Sequence, residues 1–493
     1  MKRIVALMMA LMMALAALSG CGGNENLTKD PDTDQEPGTD NDDESVEVNT
    51  EITGTVSVGI NSYRNSDFEA ILEAFQKRYP NVEIKPILFE TTRDDAVEYL
   101  TSQSMAGKTL PDILFDDAGS IPTYIQNGWM YPLTSFVEGD GDFEKIPENI
   151  RENFMYNGNV YALPQTLHSN VLMINEDLVE EMNVDLPDYD WNWDDFTEFI
   201  KACTNTTYSG VDDMSKMYNW IPGAMTEGYT IGGYSYETKS FNLEAVRTFV
   251  NYYIELSKLN GVETFSLQGK ASDGGTSDYV KKFGKISGSD AAFVAGKVAS
   301  CFTGTWDYAT YDLKGMDFSW EFYPIPQCVP GRVPIHADYC WMTTDVKEEN
   351  VEAAWAFLRF VTYSKEGNLA RLTTYDEDHI TADMNFAYYI PVTTDEEVVE
   401  KFESLPYVTD QILYIYENME NGYINDPEKT VPGIETLVWG EIGRLAFESM
   451  TGRDDFSSKM KDVESKANVE MEEYWSIFEE ALAKFEAEFA ETH

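Results

Sequence analysis

The chain has 493 residues, with 35 Lys and Arg against 87 Asp and Glu, a formal charge of −52 at pH 7. At roughly 100–200 residues per domain that length allows two or three domains, and 43% hydrophobic with 13% aromatic residues excludes a disordered or fibrous chain. The charge excludes nucleic acid as a partner, since phosphates are neutralised by clustered Lys and Arg, and it disfavours a strongly anionic ligand.

Lys2 and Arg3 precede an apolar run from Ile4 to Leu18. The run is shorter than the roughly 20 helical residues that span a bilayer, and it reads as a signal-peptide core. It ends Leu18-Ser19-Gly20-Cys21, which resembles the lipobox of bacterial lipoproteins. The resemblance implies cleavage before Cys21, a diacylglycerol on its sulfur, and a protein held at the extracytoplasmic face of the cell membrane. A second acyl chain, such as palmitate, makes the anchor firm, because one chain binds a bilayer only marginally. Residues 21–50 are rich in Gly, Asn, Thr, Pro and acids and lack apolar periodicity, so they read as a disordered acidic tether. Within it Asp30-x-Asp32-x-Asp34 lacks the Gly and the closing Glu of a calcium loop and is read as solvated charge.

Beyond Cys21 stand Cys203, Cys301, Cys328 and Cys340, with no C-x-x-C spacing. They are expected as buried free thiols, although export permits a disulfide. The four histidines have no ligand spacing, so no metal or other cofactor is expected.

In the folded part, Gly54–Asn61 alternates β-branched residues and predicts a strand. A helix is predicted from Ser66 to Tyr79, with Ser66 and Glu69 at capping-box spacing and Phe68, Ile71, Leu72 and Phe75 on one face. Val82–Phe89 predicts a second strand, Asp94–Met105 a helix, and Ile113–Phe115 a short buried strand opening onto Asp116 and Asp117. Strands alternating with helices give a parallel α/β layer with its crevice beyond the strand carboxyl ends. Val160–Pro164 and Val171–Ile174 predict strands flanking a crossing segment, Gln165 to Asn170. Further helices are expected near Asp194, near Asn242 and over Asp290–Lys297, and strands over Val298–Phe302, Phe318–Ile325 and Ile335–Met342. Glu349–Val361 and Ser457–Glu491 complete the chain as amphipathic helices, with Trp355 and Trp475 read as core.

This order of pieces resembles the type-1 extracellular solute-binding proteins of ABC importers, the group that contains maltose-binding protein, over about residues 52–450. The segments that carry it are Phe75-Gln-Lys-Arg-Tyr-Pro-Asn-Val-Glu-Ile84, Gly107-Lys-Thr-Leu-Pro-Asp112, Tyr161-Ala-Leu-Pro164 with Leu172-Met-Ile-Asn-Glu-Asp-Leu178, and Ala292–Ala299 followed by Gly304-Thr305-Trp306. Ile174 stands where the family often has Tyr. The resemblance implies an α/β, two-lobed periplasmic-binding-protein-like fold (type II) whose discontinuous lobes close by hinge bending. Residues 51–168 with 327–364 would form the N-terminal lobe, and 169–326 with 365–493 the C-terminal lobe.

A neutral sugar offers hydroxyls at its rim and C–H faces above and below, so its site needs aromatic platforms with carboxylate or amide partners. By motif, the resemblance assigns Trp306 to ligand stacking, Asp116 or Asp117 to hydroxyl acceptance, and His168 to a polar contact in the crossing. Trp439 resembles a late stacking Trp, with core packing as the other reading. Trp220 lies in a loop-like stretch beside Asn219, Pro222 and Gly223, equally readable as core. Tyr63, Arg64, Asn170 and Asp338 complete the candidates.

Enzyme motifs fail: Ser102 stands where a P-loop starting there would need Gly, and no G-x-S-x-G occurs. The expectation is a lipid-anchored, monomeric, non-enzymatic receptor that delivers a carbohydrate, an oligosaccharide above all, to the transmembrane permease of an ABC importer. A polyol, peptide or polyamine on the same fold is the first alternative, and a surface glycoside hydrolase the second.

Overall fold

The computed structural model describes residues 48–61, 65–89, 95–117, 119–212, 214–258, 282–284, 291–308, 311, 315–374 and 389–492. The signal segment, Cys21, the tether as far as residue 47 and the Tyr63–Arg64 pair lie outside the described residues; at the tether's described end Asn49 N–H donates to the Arg78 carbonyl at 2.8 Å.

Alternation builds the first sheet. Val56, Val58 and Ile60 of β1 (Gly54–Asn61) are fully buried. This strand lies between two parallel neighbours, β2 (Val82–Phe89) and β3 (Ile113–Asp117). The helix Asn65–Arg78 packs on the sheet through an edge-on contact of Phe68 with Phe115 of β3, 5.2 Å between ring centres, and is joined to the helix Val351–Val361 by Phe75 against Phe357 at 5.0 Å. Two hairpin strands, β4 (Met155–Tyr156) and β5 (Asn159–Val160), precede β6 (Leu163–His168) and β7 (Asn170–Asn175).

Gln165 to Asn170, expected as a crossing segment between two strands, is itself almost entirely strand: Ser169 alone separates β6, which pairs with β12, from β7, which pairs with β10 and β11. Ser169 is pinned on both sides. Its N–H donates to Thr305 Oγ1 (3.1 Å) and its hydroxyl to the Pro334 carbonyl (2.7 Å). The polar residues of this segment are buried, and those that bond do so with distant parts of the chain: His168 with Thr305, Ser169 with Thr305 and Pro334, and Asn170 with His336 and Asn425.

A second hairpin, β8 (Tyr234–Ser235) with β9 (Ser240–Phe241), leads to β10 (Ser300–Gly304) and β11 (Trp320–Pro324), which flank β7 in an antiparallel three-stranded sheet. Along β7 the side chains alternate between two apolar cores: Val171 and Met173 face one, Leu172 and Ile174 the other. The nine-residue β12 (Pro334–Met342) returns to the first sheet, antiparallel to both β3 and β6, and β13 (Tyr423–Ile424) pairs parallel with its start.

The later chain serves both cores. Leu372, Ile390, Phe402 and Ile415 pack in the first, and Val431, Leu437 and Leu445 in the second. The C-terminal helix Phe456–Thr492 spans them, with Phe456, Met460 and Met471 in the second and Phe478 and Leu482 in the first. All four described cysteines are free thiols; Cys203, Cys301 and Cys340 are buried, and burial pushes Cys203 up to about 12. Among the described residues no helix is long and apolar enough to cross a membrane.

Candidate functional site

Pairing of β6 with β12 places His168 opposite His336 and Thr166 opposite Asp338. Directly opposed residues share a face, so these four polar side chains form one patch, while Leu167 and Ala337 face the apolar core behind. The Thr305 hydroxyl oxygen accepts from Ser169 N–H and lies 3.3 Å from His168 Nδ1. The Asp338 carboxylate, with Oδ2 3.7 Å from Nε2, favours the tautomer that carries its proton on Nε2, and in that tautomer Nδ1 accepts from the Thr305 hydroxyl. His336 Nε2 donates to Asn170 Oδ1 at 2.8 Å, and Asn425 Nδ2 donates to the same oxygen at 3.0 Å. Burial holds His336 down at about 4, so it is neutral at physiological pH.

Trp306 follows β10 in a tight turn and stands edge-on to both imidazoles, with ring centres 6.1 Å from His168 and 5.3 Å from His336. Its indole lies against Gly304, where a Cβ would sit 2.3 Å from the ring. Glycine is required there by contact, not by backbone angle.

Beyond Asn170 the network continues, because Asn425 Nδ2 also reaches the Trp220 carbonyl at 3.3 Å. The Trp220 ring meets Trp439 at 5.5 Å, and Trp439 is 39% exposed. Trp439 lines a cleft of about 380 Å³ with Ser120, Thr123, Glu428, Val431 and Gly433. The short helix Pro427–Thr430 joins cleft to patch: Glu428 lines the cleft, and Lys429 bonds Asp338 Oδ1 at 2.7 Å. Two polar atoms in this region, Thr166 Oγ1 and Asn170 Nδ2, are buried without a hydrogen-bond partner among the described residues. Such groups normally find partners, so they mark a place that a polar ligand or ordered water completes.

The structure thus connects His168, Asn170, Trp220, Trp306, Asp338 and Trp439. Asp116 and Asp117, expected beyond a strand, are the last two residues of β3, and Asp117 pairs with Tyr339. Tyr63 and Arg64 lie outside the described residues. His336, Thr305, Asn425, Asp426 and Lys429 were not anticipated. Two signals were available: Thr305 lies next to Trp306 in the quoted motif, and His336 stands two residues from Asp338, on one strand face.

Trp475, read from sequence as core, is half-buried. It carries the Lys239 ammonium 3.9 Å above its ring and lines a separate cavity of about 540 Å³ with Tyr156, Tyr236 and Phe478. That cavity is larger, but none of its lining residues carries an orphaned polar atom, whereas Thr166 and Asn170 do so at the histidine patch, which is therefore the better candidate.

Two α/β units with separate apolar cores, joined by strands that pass from one sheet to the other, define a two-lobed periplasmic-binding-protein-like architecture. The family model for bacterial extracellular solute-binding proteins matches residues 70–380, more than half of the chain. The chain belongs to this family, so its role is to bind a solute and not to transform one. Solved structures with the same fold include an ABC substrate-binding protein from Listeria monocytogenes in complex with cycloalternan (17% identity, TM-score 0.62, covering 85% of this chain and 99% of that one). The sugar-binding protein MalE from Xanthomonas citri is similar at 12% identity and TM-score 0.65, over 86% of this chain and 99% of its own. A solute-binding protein from Thermotoga lettingae bound with α-D-tagatose matches at 15% identity and TM-score 0.60, over 85% and 100%.

Proposed function

We propose that the chain is a lipid-anchored receptor that captures a carbohydrate at the Trp306–His168–Asp338 patch and the adjoining Trp220–Trp439 cleft, and hands it to the permease of an ABC importer. The observation that carries this reading is the pairing of a half-buried indole with a patch of neutral and acidic hydrogen-bonding groups, where Thr166 Oγ1 and Asn170 Nδ2 are buried without a partner among the described residues. An aromatic face beside acceptors and donors suits a ring with apolar faces and a hydroxylated edge. The sugars bound by the Listeria and Thermotoga proteins support the same ligand class. Contacts from both lobes favour the closed state, and a permease that recognises closure couples capture to transport.

Trp306→Ala is expected to weaken binding of maltose, mannotriose or tagatose by about 2 kcal/mol or more while leaving the fold intact. Unchanged affinity in titration calorimetry removes Trp306 from the site. The lipid anchor at Cys21 is tested separately. Cys21→Ser should move the protein from the membrane fraction to the aqueous one, and continued partitioning with membranes contradicts the anchor.

A further inference from the structure

Strand β12 loses its β13 neighbour after Ile335, where the pairing Pro334–Tyr423 and Ile335–Ile424 ends. The next residues of that edge are held by side chains. Asp426 Oδ2 accepts the Ala337 N–H at 3.0 Å, and Lys429 Nζ donates to the Ala337 carbonyl at 2.8 Å. The same ammonium bonds Asp426 Oδ2 at 2.8 Å and Asp338 Oδ1 at 2.7 Å. Lys429 is only 5% exposed and Asp426 4%. A buried lysine is stable when its charge is paired and its protons are used, and this one meets two carboxylates and a carbonyl.

The consequence for the site is directional. With Oδ1 of Asp338 held by Lys429, the other oxygen turns towards His168 Nε2, 3.7 Å away. We propose that Lys429 and Asp426 are positioning residues for the ligand site: together they clamp the Ala337 peptide and fix Asp338 beside His168 as an acceptor–donor pair for adjacent hydroxyls of a neutral ring. The inference rests on the carbohydrate reading above and deepens it. A carboxylate oxygen and an imidazole N–H at this separation can accept from one ring hydroxyl and donate to its neighbour, whereas an ammonium ligand would find the His168 donor facing it.

The test is a double-mutant cycle on the full chain, titrated with whichever of maltose, mannotriose and tagatose stabilises the wild type. Lys429→Met and Asp338→Asn should each lower affinity at least tenfold. The double variant should lose no more than either alone, because Lys429 acts through Asp338. A merely structural lysine would change the melting temperature without this coupling in affinity. If Lys429→Met does not fold, Lys429→Met with Asp426→Asn removes the more buried of the two unbalanced carboxylates and should fold with affinity still reduced at least tenfold. Wild-type affinity in the folded variant, or additive losses of a hundredfold or more, overturns the clamp. Trp306→Ala separates the two levels. Loss of binding there with Lys429→Met unaffected defeats the clamp alone. Retained binding in Trp306→Ala, or a wild type stabilised by none of the three sugars, defeats the site and the clamp together.

Discussion

His336 is buried against Trp306 and Asn170, and its imidazole is held at about 4 against an ordinary 6.5. Burial is the main cause; Asp426 and Asp338 pull the value up, and Lys429 and His168 push it down. Folding therefore requires the neutral ring. Between those two pH values the unfolded chain binds a proton that the folded chain refuses. The contribution is fully present above 6.5 and is lost as the pH falls through about 4. At about 1.36 kcal/mol per pH decade it is worth about 3 kcal/mol. The assay is chemical denaturation of wild type and His336→Asn at intervals from pH 7.5 down to 4. The variant starts less stable, having lost the bond to Asn170, but the gap between the two proteins should shrink by about 3 kcal/mol across the range. Titrating groups that do not interact with His336 cancel in that difference, including Glu321, which burial raises to about 7 and whose contribution runs the opposite way, lost as the pH rises. A gap that stays constant with pH refutes a neutral, buried His336.

Gly304→Val should displace the Trp306 indole, whose atoms lie 2.3 Å from the added Cβ, and lower sugar affinity at least tenfold by calorimetry while the circular dichroism spectrum is retained. Wild-type affinity would mean that the ring has room to move. Glu486→Ala should release the far end of the C-terminal helix, because that carboxylate accepts from Asn157 and Asn159 at 2.7 Å and from Tyr161 at 3.0 Å. A loss of about 1–3 kcal/mol is expected. Hydrogen exchange should speed up over residues 478–489 but not 456–471, which sit in the other core; uniform change would contradict a helix docked in two independent halves.

Periodicity made the regular elements legible. Strands β1 and β2 occupy the residues their alternation predicts, Gly54–Asn61 and Val82–Phe89, and the C-terminal helix runs Phe456–Thr492 against a prediction of Ser457–Glu491. The histidine patch was legible only in part. Gln165 to Asn170 reads as loop because polar residues in a strand look exposed, yet Thr166, His168 and Asn170 are all buried. Their burial depends on partners far along the chain: His168 bonds Thr305, 137 positions away, and Asn170 bonds His336, 166 positions away. Lys429 and Asp426 were invisible for the same reason, since the β12 edge they complete lies about 90 positions earlier. Trp306 could be found because it closes the Gly304-Thr305-Trp306 motif, and the structure adds that Gly304 is there to make room for its indole. The tryptophan pair of Trp220 and Trp439 needed the fold to bring it together at 5.5 Å.

The most direct measurement is a thermal-shift screen of residues 48–493 against mono- and oligosaccharides, polyols, peptides and polyamines, with chemical recovery of each ligand that stabilises the protein. A ligand that binds only the folded chain adds about 2.7 kcal/mol at 100 times its dissociation constant, enough for a clear shift. The account predicts stabilisation by a sugar that is recovered intact and lost in Trp306→Ala. Stabilisation by polyamines or peptides alone, or recovery of cleaved sugar, would contradict it.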